Sequence, residues 1–350
     1  MTDLAERFPE NPLLRPEDVR PSIEGLRVEC VLNPGAFRHQ ERTGLLLRVA
    51  ERPAPRDGFV STPVLDPCAE NGVRVLEFRT DDPDLSRLDP RVFQYRGKTY
   101  LTTLSHLRLA WSADGVRFIV DEEPALIGEG RMETFGLEDC RVARIDGTYC
   151  LTFTVVSEFG IAVGMATTSD WKAFQRRGVI VPPENKDCAL FEEKIRGNFY
   201  CLHRPSAGAI GGPYIWLAHS PDLIHWGGHR AVAATRRGKW DSNRVGAGAS
   251  PIRTDEGWLA IYHGADNAGR YCLGALLLAL EDPSRVLARS EEPIMEPVEE
   301  YERRGFVGDV VFTNGHIVDG DQLTIYYGAS DTAICGARFS IRGILDALSH

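Results

Sequence analysis

Gly147-Thr148-Tyr149-Cys150-Leu151-Thr152 is a short apolar strand opened by glycine, and copies of it recur along the chain. They read Gly97-Lys98-Thr99-Tyr100-Leu101-Thr102, Gly197-Asn198-Phe199-Tyr200-Cys201-Leu202 and Gly257-Trp258-Leu259-Ala260-Ile261-Tyr262. Asp321-Gln322-Leu323-Thr324-Ile325-Tyr326 is a last copy. The first three start 50 residues apart (147−97 and 197−147), and the next gaps are 60 and 64. A second element follows the first three copies: Leu109-Ala110-Trp111-Ser112-Ala113-Asp114, Met165-Ala166-Thr167-Thr168-Ser169-Asp170 and Leu217-Ala218-His219-Ser220-Pro221-Asp222. Each ends in a Ser/Asp turn with an aromatic residue just beyond it, namely Phe118, Phe174 and Trp226. Apolar strands closed by such turns are read as β-hairpins.

Strand pairs repeating at this spacing predict an all-β fold, a β-propeller of four-stranded blades around a central channel. Counting Gly44-Leu45-Leu46-Leu47-Arg48 the copies number six, which leaves five or six blades open. A two-sheet sandwich is the competing architecture, but it gives no reason for the repeat. Only Pro16 to Val19 and Ile341 to Leu348 read as helix. The chain is therefore expected to be one propeller domain over 1–350, with an N-terminal extension over 1–25 and a short C-terminal helix over 341–350.

Lys plus Arg number 40 against 50 Asp plus Glu, a net charge of −10 that argues against a nucleic-acid partner. A phosphate ligand needs only a local basic cluster and stays open. The eight cysteines form no C-x-x-C pair, and most sit in apolar strands, so buried reduced thiols are expected rather than zinc ligands or disulfides. No metal and no cofactor is implied. No run approaches the roughly 18 apolar residues of a membrane span, and the stretch Met1 to Pro12 is polar and acidic. A soluble, cytoplasmic protein without a membrane partner is expected. A homo-oligomer stays open.

Five polar clusters stand out. Phe135-Gly136-Leu137-Glu138-Asp139-Cys140-Arg141 offers two carboxylates and an arginine, suited to a general acid tuned by its neighbours. Its alternative is a turn aspartate that binds backbone amides. In a regular strand Glu138 and Asp139 face opposite ways, so only one should reach a given ligand. Asn185-Lys186-Asp187, with Glu192-Glu193-Lys194 and His203-Arg204-Pro205, lies at the two ends of one expected hairpin and could gather an oxyanion pocket or form a solvated edge. Asn33-Pro34-Gly35 is followed by Arg48 at the end of an apolar strand, a costly place for a charge without a partner. Trp240 to Gly248 leading to Tyr262-His263-Gly264, and Tyr326 to Thr332, supply aromatics, small residues and carboxylates of the kind that bind sugars. No P-loop, dinucleotide fingerprint or nucleophile elbow is present.

Together these pieces resemble glycoside hydrolase family 130, the β-mannoside phosphorylases and β-1,2-mannosidases. The resemblance runs from about Asn33 to Asp331 through Leu46-Leu47-Arg48-Val49, Ser105-His106-Leu107-Arg108, Gly136-Leu137-Glu138-Asp139, Asn185-Lys186-Asp187, Leu202-His203-Arg204-Pro205, Tyr262-His263-Gly264 and Tyr327-Gly328-Ala329-Ser330-Asp331. The Ser105 to Arg108 piece looks most like members acting on β-1,2-linked mannose. The resemblance implies a five-bladed propeller with short terminal helices and makes Asp139 the general acid. It places Asn33, Arg48, Glu138, His263 and Asp331 on the mannoside, and Lys186, His203 and Arg204 on inorganic phosphate as co-substrate. Cys140 and Glu192 stand where the family pattern has proline, Gly308-Asp309 replaces a polar pair, and Phe153 to Gly164 holds no arginine.

Inverting hydrolysis uses two carboxyls, whereas phosphorolysis uses one acid and a cationic cradle for the nucleophile. Lys186, His203 and Arg204 favour phosphorolysis to α-mannose 1-phosphate. The alternatives are a β-1,2-mannosidase with Glu193 or Glu138 as base, and a non-catalytic sugar-binding propeller.

Overall fold

The computed structural model describes residues 3–206 and 210–348, so Met1, Thr2, Ser349 and His350, at the ends of the expected extension and helix, lie outside the described residues. The fold is all-β. Five antiparallel sheets follow one another along the chain. The first contains Leu26–His39, Arg42–Pro53, Leu104–Ser112 and Ile119–Val120. The second contains Leu137–Ile145, Thr148–Ser157, Gly160–Thr168 and Gln175–Val181. The third contains Asn185–Leu190, Phe199–Pro205, Ile215–Ser220 and Gly227–Ala233. The fourth contains Arg244–Ala247, Trp258–Ala265, Tyr271–Leu278 and Val286–Arg289, with Ile252–Arg253 beside its second strand. The fifth contains Val311–Asp319, Gln322–Ala329 and Ala333–Ser340. Its fourth strand comes from the other end of the chain: Glu6–Arg7 pairs with Ala337 and Arg338.

Both faces of each sheet are apolar because each packs on two neighbours. One buried cluster lies between the first and second sheets (Leu46, Leu107, Leu137, Phe153) and one between the second and third (Met165, Val181, Leu190, Cys201). Others join third to fourth (Leu202, Leu217, Val245, Leu276) and fourth to fifth (Leu259, Leu273, Ile325, Tyr327). The last joins fifth to first through Val31, Leu45, Leu47, Tyr326 and Ile334. Each fully buried Leu or Ile contributes roughly 1.5–3 kcal/mol. Glu302 and the N-terminal strand lock the closure: Arg7 Nε donates to Glu302 Oε1 at 2.7 Å, and the Tyr327 hydroxyl donates to the same oxygen at 2.7 Å.

The sheet topology resolves the count of repeats. The copies at 44, 147, 197, 257 and 321 form the second strands of the five sheets, but Lys98–Leu101 does not. It belongs to a small sheet with Leu85–Asp89 and Val92–Tyr95, inserted with the hairpin Phe59–Leu65/Val73–Arg79 between the second and third strands of the first sheet. Arg96-Gly97, Asp146-Gly147 and Arg196-Gly197 all have positive φ, the two-residue turn that hairpins favour. At these three copies the glycine marks that turn, whichever sheet receives the strand. The second elements do align, as third strands ending in matching turns. Asp114, Asp170 and Asp222 each accept two backbone amides through Oδ1.

A 3-10 turn at Pro16–Asp18 and a helix at Ile341–Leu348 match the expected helices, and two further short turns occur at Arg131–Glu133 and Glu300–Arg303. All eight cysteines are free, and seven are buried, Cys68 being the exposed one. No helix among the described residues is long and apolar enough to cross a membrane.

Candidate active site

Asn33, Glu138, Asp139, Lys186, Asp187 and Arg244 lie on first strands, and Arg48, Arg204 and His263 on second strands. Four of the five first strands break register near the site, the first of them also between Val28 and Cys30. The breaks near the site fall between Leu32 and Gly35, Glu138 and Arg141, Lys186 and Ala189, and Thr313 and Gly315. At three of them the extra residue is left-handed: Asn33 (φ 40°), Asp139 (φ 50°) and Asp187 (φ 55°). Asn and Asp tolerate this conformation better than other non-glycine residues. Each bulge re-aims a polar side chain toward the space where the strands converge. There a cavity of about 290 Å³ is lined by Asn33, Arg48, Glu138, Asp139, Lys186, Asp187, Arg204, Arg244, His263 and Asp331, among others.

One end of the cavity is acidic. Asp139 Oδ1 accepts from Asn33 Nδ2 at 2.9 Å and from Arg48 Nη1 at 3.1 Å. Arg48 Nη2 donates to Glu138 Oε1 at 2.7 Å, and its Nε to Ser105 Oγ at 3.1 Å. The expectation that only one of Glu138 and Asp139 could reach a common partner is corrected: the bulge breaks strict alternation, and both meet Arg48. No backbone amide binds the Asp139 carboxylate among the described residues, which sets aside the turn-aspartate alternative. Burial pushes the Asp139 carboxyl up, but Arg48, Lys186 and the Asn33 amide outweigh it and hold the group below its ordinary range. Asp331 goes the other way. Burial raises it, and the Arg91 and Arg48 guanidiniums do not cancel that effect. Arg91 Nη1 lies 3.6 Å from Asp331 Oδ2 and also pairs with Asp89 at 3.0 Å.

The other end is cationic. Lys186 is half-buried, and its ammonium makes no hydrogen bond or ion pair with any described residue. Arg244 bonds the Asn243 side chain and has no carboxylate partner among the described residues. Behind them Asp187 sits among Arg141, Arg204 and His263, at 3.1, 3.1 and 3.3 Å. These neighbours, the Arg204 guanidinium above all, hold its carboxyl well below the ordinary range despite burial. His263 is fully buried, its ring centroid 4.2 Å from that of Phe312 and tilted against it by 35°. Burial pushes its pKa down to about 4, so it is neutral at pH 7.

Eight of the nine residues singled out in the sequence thus line one cavity. His203 does not. Its Nδ1 meets Asn185 Oδ1 at 3.1 Å and its Nε2 meets His229 Nδ1 at 3.0 Å, behind the wall, and burial lowers its pKa to about 4. Glu193 faces outward and pairs with Arg253 at 3.4 Å, and Glu192 accepts the Arg144 amide beside a different cavity. The aromatics marked in the sequence are used elsewhere. Tyr326 bonds the Gly115 carbonyl, Tyr327 bonds Glu302, and Tyr262 bonds Asp241. The cavity takes its rings from Tyr271, Phe306 and Phe312 instead, and two of its cations from Arg91 and Arg244. Arg244 stood inside a marked cluster, but nothing local set it apart. Arg91, in Asp89-Pro90-Arg91, belongs to none of the marked clusters. Among the described residues no group of three or more His, Cys, Asp or Glu could hold a metal.

A family model described as β-1,4-mannooligosaccharide phosphorylase, of glycoside hydrolase family 130, matches residues 83–350. The chain is 46% identical over 347 residues to a β-1,2-mannobiose phosphorylase of Listeria innocua, covering 98% of each chain. It is 40% identical over 244 residues to a 1,2-β-oligomannan phosphorylase of a Thermoanaerobacter species, covering 69% of this chain and 80% of that one. A solved structure of the Listeria innocua β-1,2-mannobiose phosphorylase with β-1,2-mannobiose superposes with a TM-score of 0.96 at 45% identity, over 99% of both chains. Ordered motifs, sheet topology and near full-length similarity lead to one conclusion: the chain belongs to glycoside hydrolase family 130.

Proposed function

We propose that this protein is an inverting β-mannoside phosphorylase that cleaves β-1,2-linked manno-oligosaccharides with inorganic phosphate, yielding α-mannose 1-phosphate. The observation that carries the reading is the pair Lys186 and Arg244, cations on the cavity wall without a carboxylate partner, opposite the buried carboxylate of Asp139. A chain of net charge −10 that leaves such groups unpaired in its site is built to receive an anion. The similarity to β-1,2-mannobiose phosphorylase over nearly the whole chain supports the same substrate class.

In this reading the five sheets are the blades of a five-bladed propeller, one catalytic domain, and the cavity is the mouth of its channel. Asn33, Arg48, Glu138 and Asp331 hold the mannose unit to be transferred. Phosphate lies against Lys186, Arg204 and Arg244 on the opposite face of the anomeric carbon. Asp139 supplies the proton for the departing oxygen by way of a sugar hydroxyl. Its carboxyl is below the ordinary range in the free site partly through Lys186. A phosphate dianion beside that ammonium offsets its field, and the entering sugar excludes water, so both substrates move Asp139 toward its protonated form. The balance closes without another reagent. Hydrogen phosphate forms the new C–O bond, the glycosidic C–O bond breaks, and the phosphate's proton is returned to Asp139 for the next turnover. Glu193 is outside the cavity and Glu138 is bound to Arg48, so neither carboxylate offered as the base of a hydrolase is free on the cavity wall. A charged sugar phosphate as product is retained behind a membrane, in keeping with the expected cytoplasmic location.

Incubating the protein with β-1,2-mannobiose with and without phosphate tests this. Mannose 1-phosphate and mannose in equal amounts, formed only with phosphate, are expected. Release of free mannose alone at the same rate without phosphate would overturn the proposal.

A further inference from the structure

We propose that Asp187 is a positioning residue for phosphate, holding Arg204 and His263 at the cationic end of the cavity and tying them through Arg141 to the strand that carries Asp139. This rests on the phosphorolysis reading above. No part of that reading gives Asp187 a role, and its side chain has almost no free surface with which to touch a substrate (1% exposed).

Arg141 is hydrogen-bonded to one carboxylate oxygen, and the other lies in close ion-pair contact without hydrogen-bond geometry. Oδ1 takes Arg141 Nη2 at 3.1 Å, while Oδ2 faces Arg204 Nε at 3.1 Å and His263 Nε2 at 3.3 Å. Arg141 carries the connection onward. Its Nη1 donates to the Asp139 carbonyl at 2.9 Å, its Nε to Gly248 at 3.0 Å and its Nη2 to Ala247 at 2.9 Å. One carboxylate thus joins the second, third and fourth sheets at the point where acid and nucleophile must be held a fixed distance apart. Proximity of this kind is a large part of what a phosphorolytic site can supply.

The chemistry of the group favours positioning over simple core filling. Two arginines and one aspartate leave a net positive charge behind the cavity wall, while a neutral His263 adds none. Without the carboxylate the two guanidiniums would repel each other, and Arg204 would lose the partner that fixes its plane. Asparagine is nearly isosteric, but its NH2 would face a donor wherever it was turned. The backbone is adapted to the cluster as well. Asp187 is left-handed, and a Cβ on Gly246 would collide with Asp187 Oδ2 and His263 Nε2. Gly246 is therefore the space that lets carboxylate and imidazole meet.

Asp187→Asn and Gly246→Ala, each checked for folding by thermal melting and circular dichroism, test the proposal against wild type in both reaction directions. With a positioning role, each folded variant raises the KM for phosphate and for α-mannose 1-phosphate at least tenfold. The KM for β-1,2-mannobiose and for mannose stays within threefold. Gly246→Ala keeps every charge, so it carries the test if Asp187→Asn does not fold. Equal losses on all four substrates, or failure of both variants to fold, would make Asp187 a plain core ion-pair residue and overturn the inference. A wild type indifferent to phosphate sinks the functional reading and this one with it. A phosphate-dependent wild type whose Asp187→Asn variant keeps its phosphate KM sinks this inference alone.

Discussion

Asp139 and Asp187 occupy equivalent places in neighbouring sheets, on first-strand bulges with φ near +50° and with side chains out of bulk solvent, yet their surroundings differ. Asp187 has an arginine on each oxygen, Arg141 on one and Arg204 on the other, with the neutral His263 ring beside the second. Asp139 has Arg48 and Asn33 on Oδ1, and its Oδ2 takes no hydrogen bond from a described residue. Glu138, Asp139 and Asp331 share the acid end with Arg48 and Arg91, while Asp187 faces Arg141 and Arg204 at the other. One backbone device thus serves two purposes. A left-handed bulge delivers a carboxylate to the cavity, and the surrounding side chains set its partners: Arg48 and Asn33 for Asp139, Arg141 and Arg204 for Asp187.

The largest expected effect falls on the residue with the free oxygen. Asp139→Asn keeps the shape and the Arg48 contact but removes the transferable proton. It should lower kcat at least the ~10² typical of a lost general acid, with the melting temperature little changed. An Asp139→Asn enzyme within threefold of wild type in mannobiose phosphorolysis would break the contrast between the two aspartates.

A smaller effect is expected on the cationic side. Charge-assisted hydrogen bonds to an anion are worth roughly 1.5–3 kcal/mol each, and about 1.4 kcal/mol is a factor of ten. Lys186→Ala should therefore raise the KM for phosphate by about tenfold or more, and the KM for β-1,2-mannobiose less. Steady-state kinetics with each substrate varied in turn checks the split. An effect confined to mannobiose would move Lys186 to the sugar.

The smallest effect sharpens the comparison by its absence. Glu193 lies outside the cavity against Arg253. Glu193→Gln should leave phosphorolysis rates within about twofold of wild type, because exposed pairs contribute little. A hundredfold loss of mannose release would return Glu193 to the role of a base and revive hydrolysis.

The chain's own order of residues determined the all-β fold, the repeating strand and most of the polar residues that line the cavity. These are local properties. A Gly-opened turn, an apolar strand and a polar residue at the strand's start are encoded within about ten residues, and Asn33, Arg48, Asp139, Lys186 and Asp331 came together as their motifs implied. Which strand joins which sheet is not local. The copy at Gly97 has the same turn as its relatives but pairs inside an insertion, because a turn fixes its own hairpin and not the sheet that receives it. Side-chain direction past a bulge is equally hidden. One extra residue reverses the alternation, so Glu138 and Asp139 meet the same arginine, while His203, in a strand without a break, is turned to His229. The cavity's rings and two of its cations, Tyr271, Phe306, Phe312, Arg91 and Arg244, come from segments far apart in sequence. Only the packing of five sheets on one another brings them to one place, since nothing in a short stretch of sequence records which distant surface will lie opposite it.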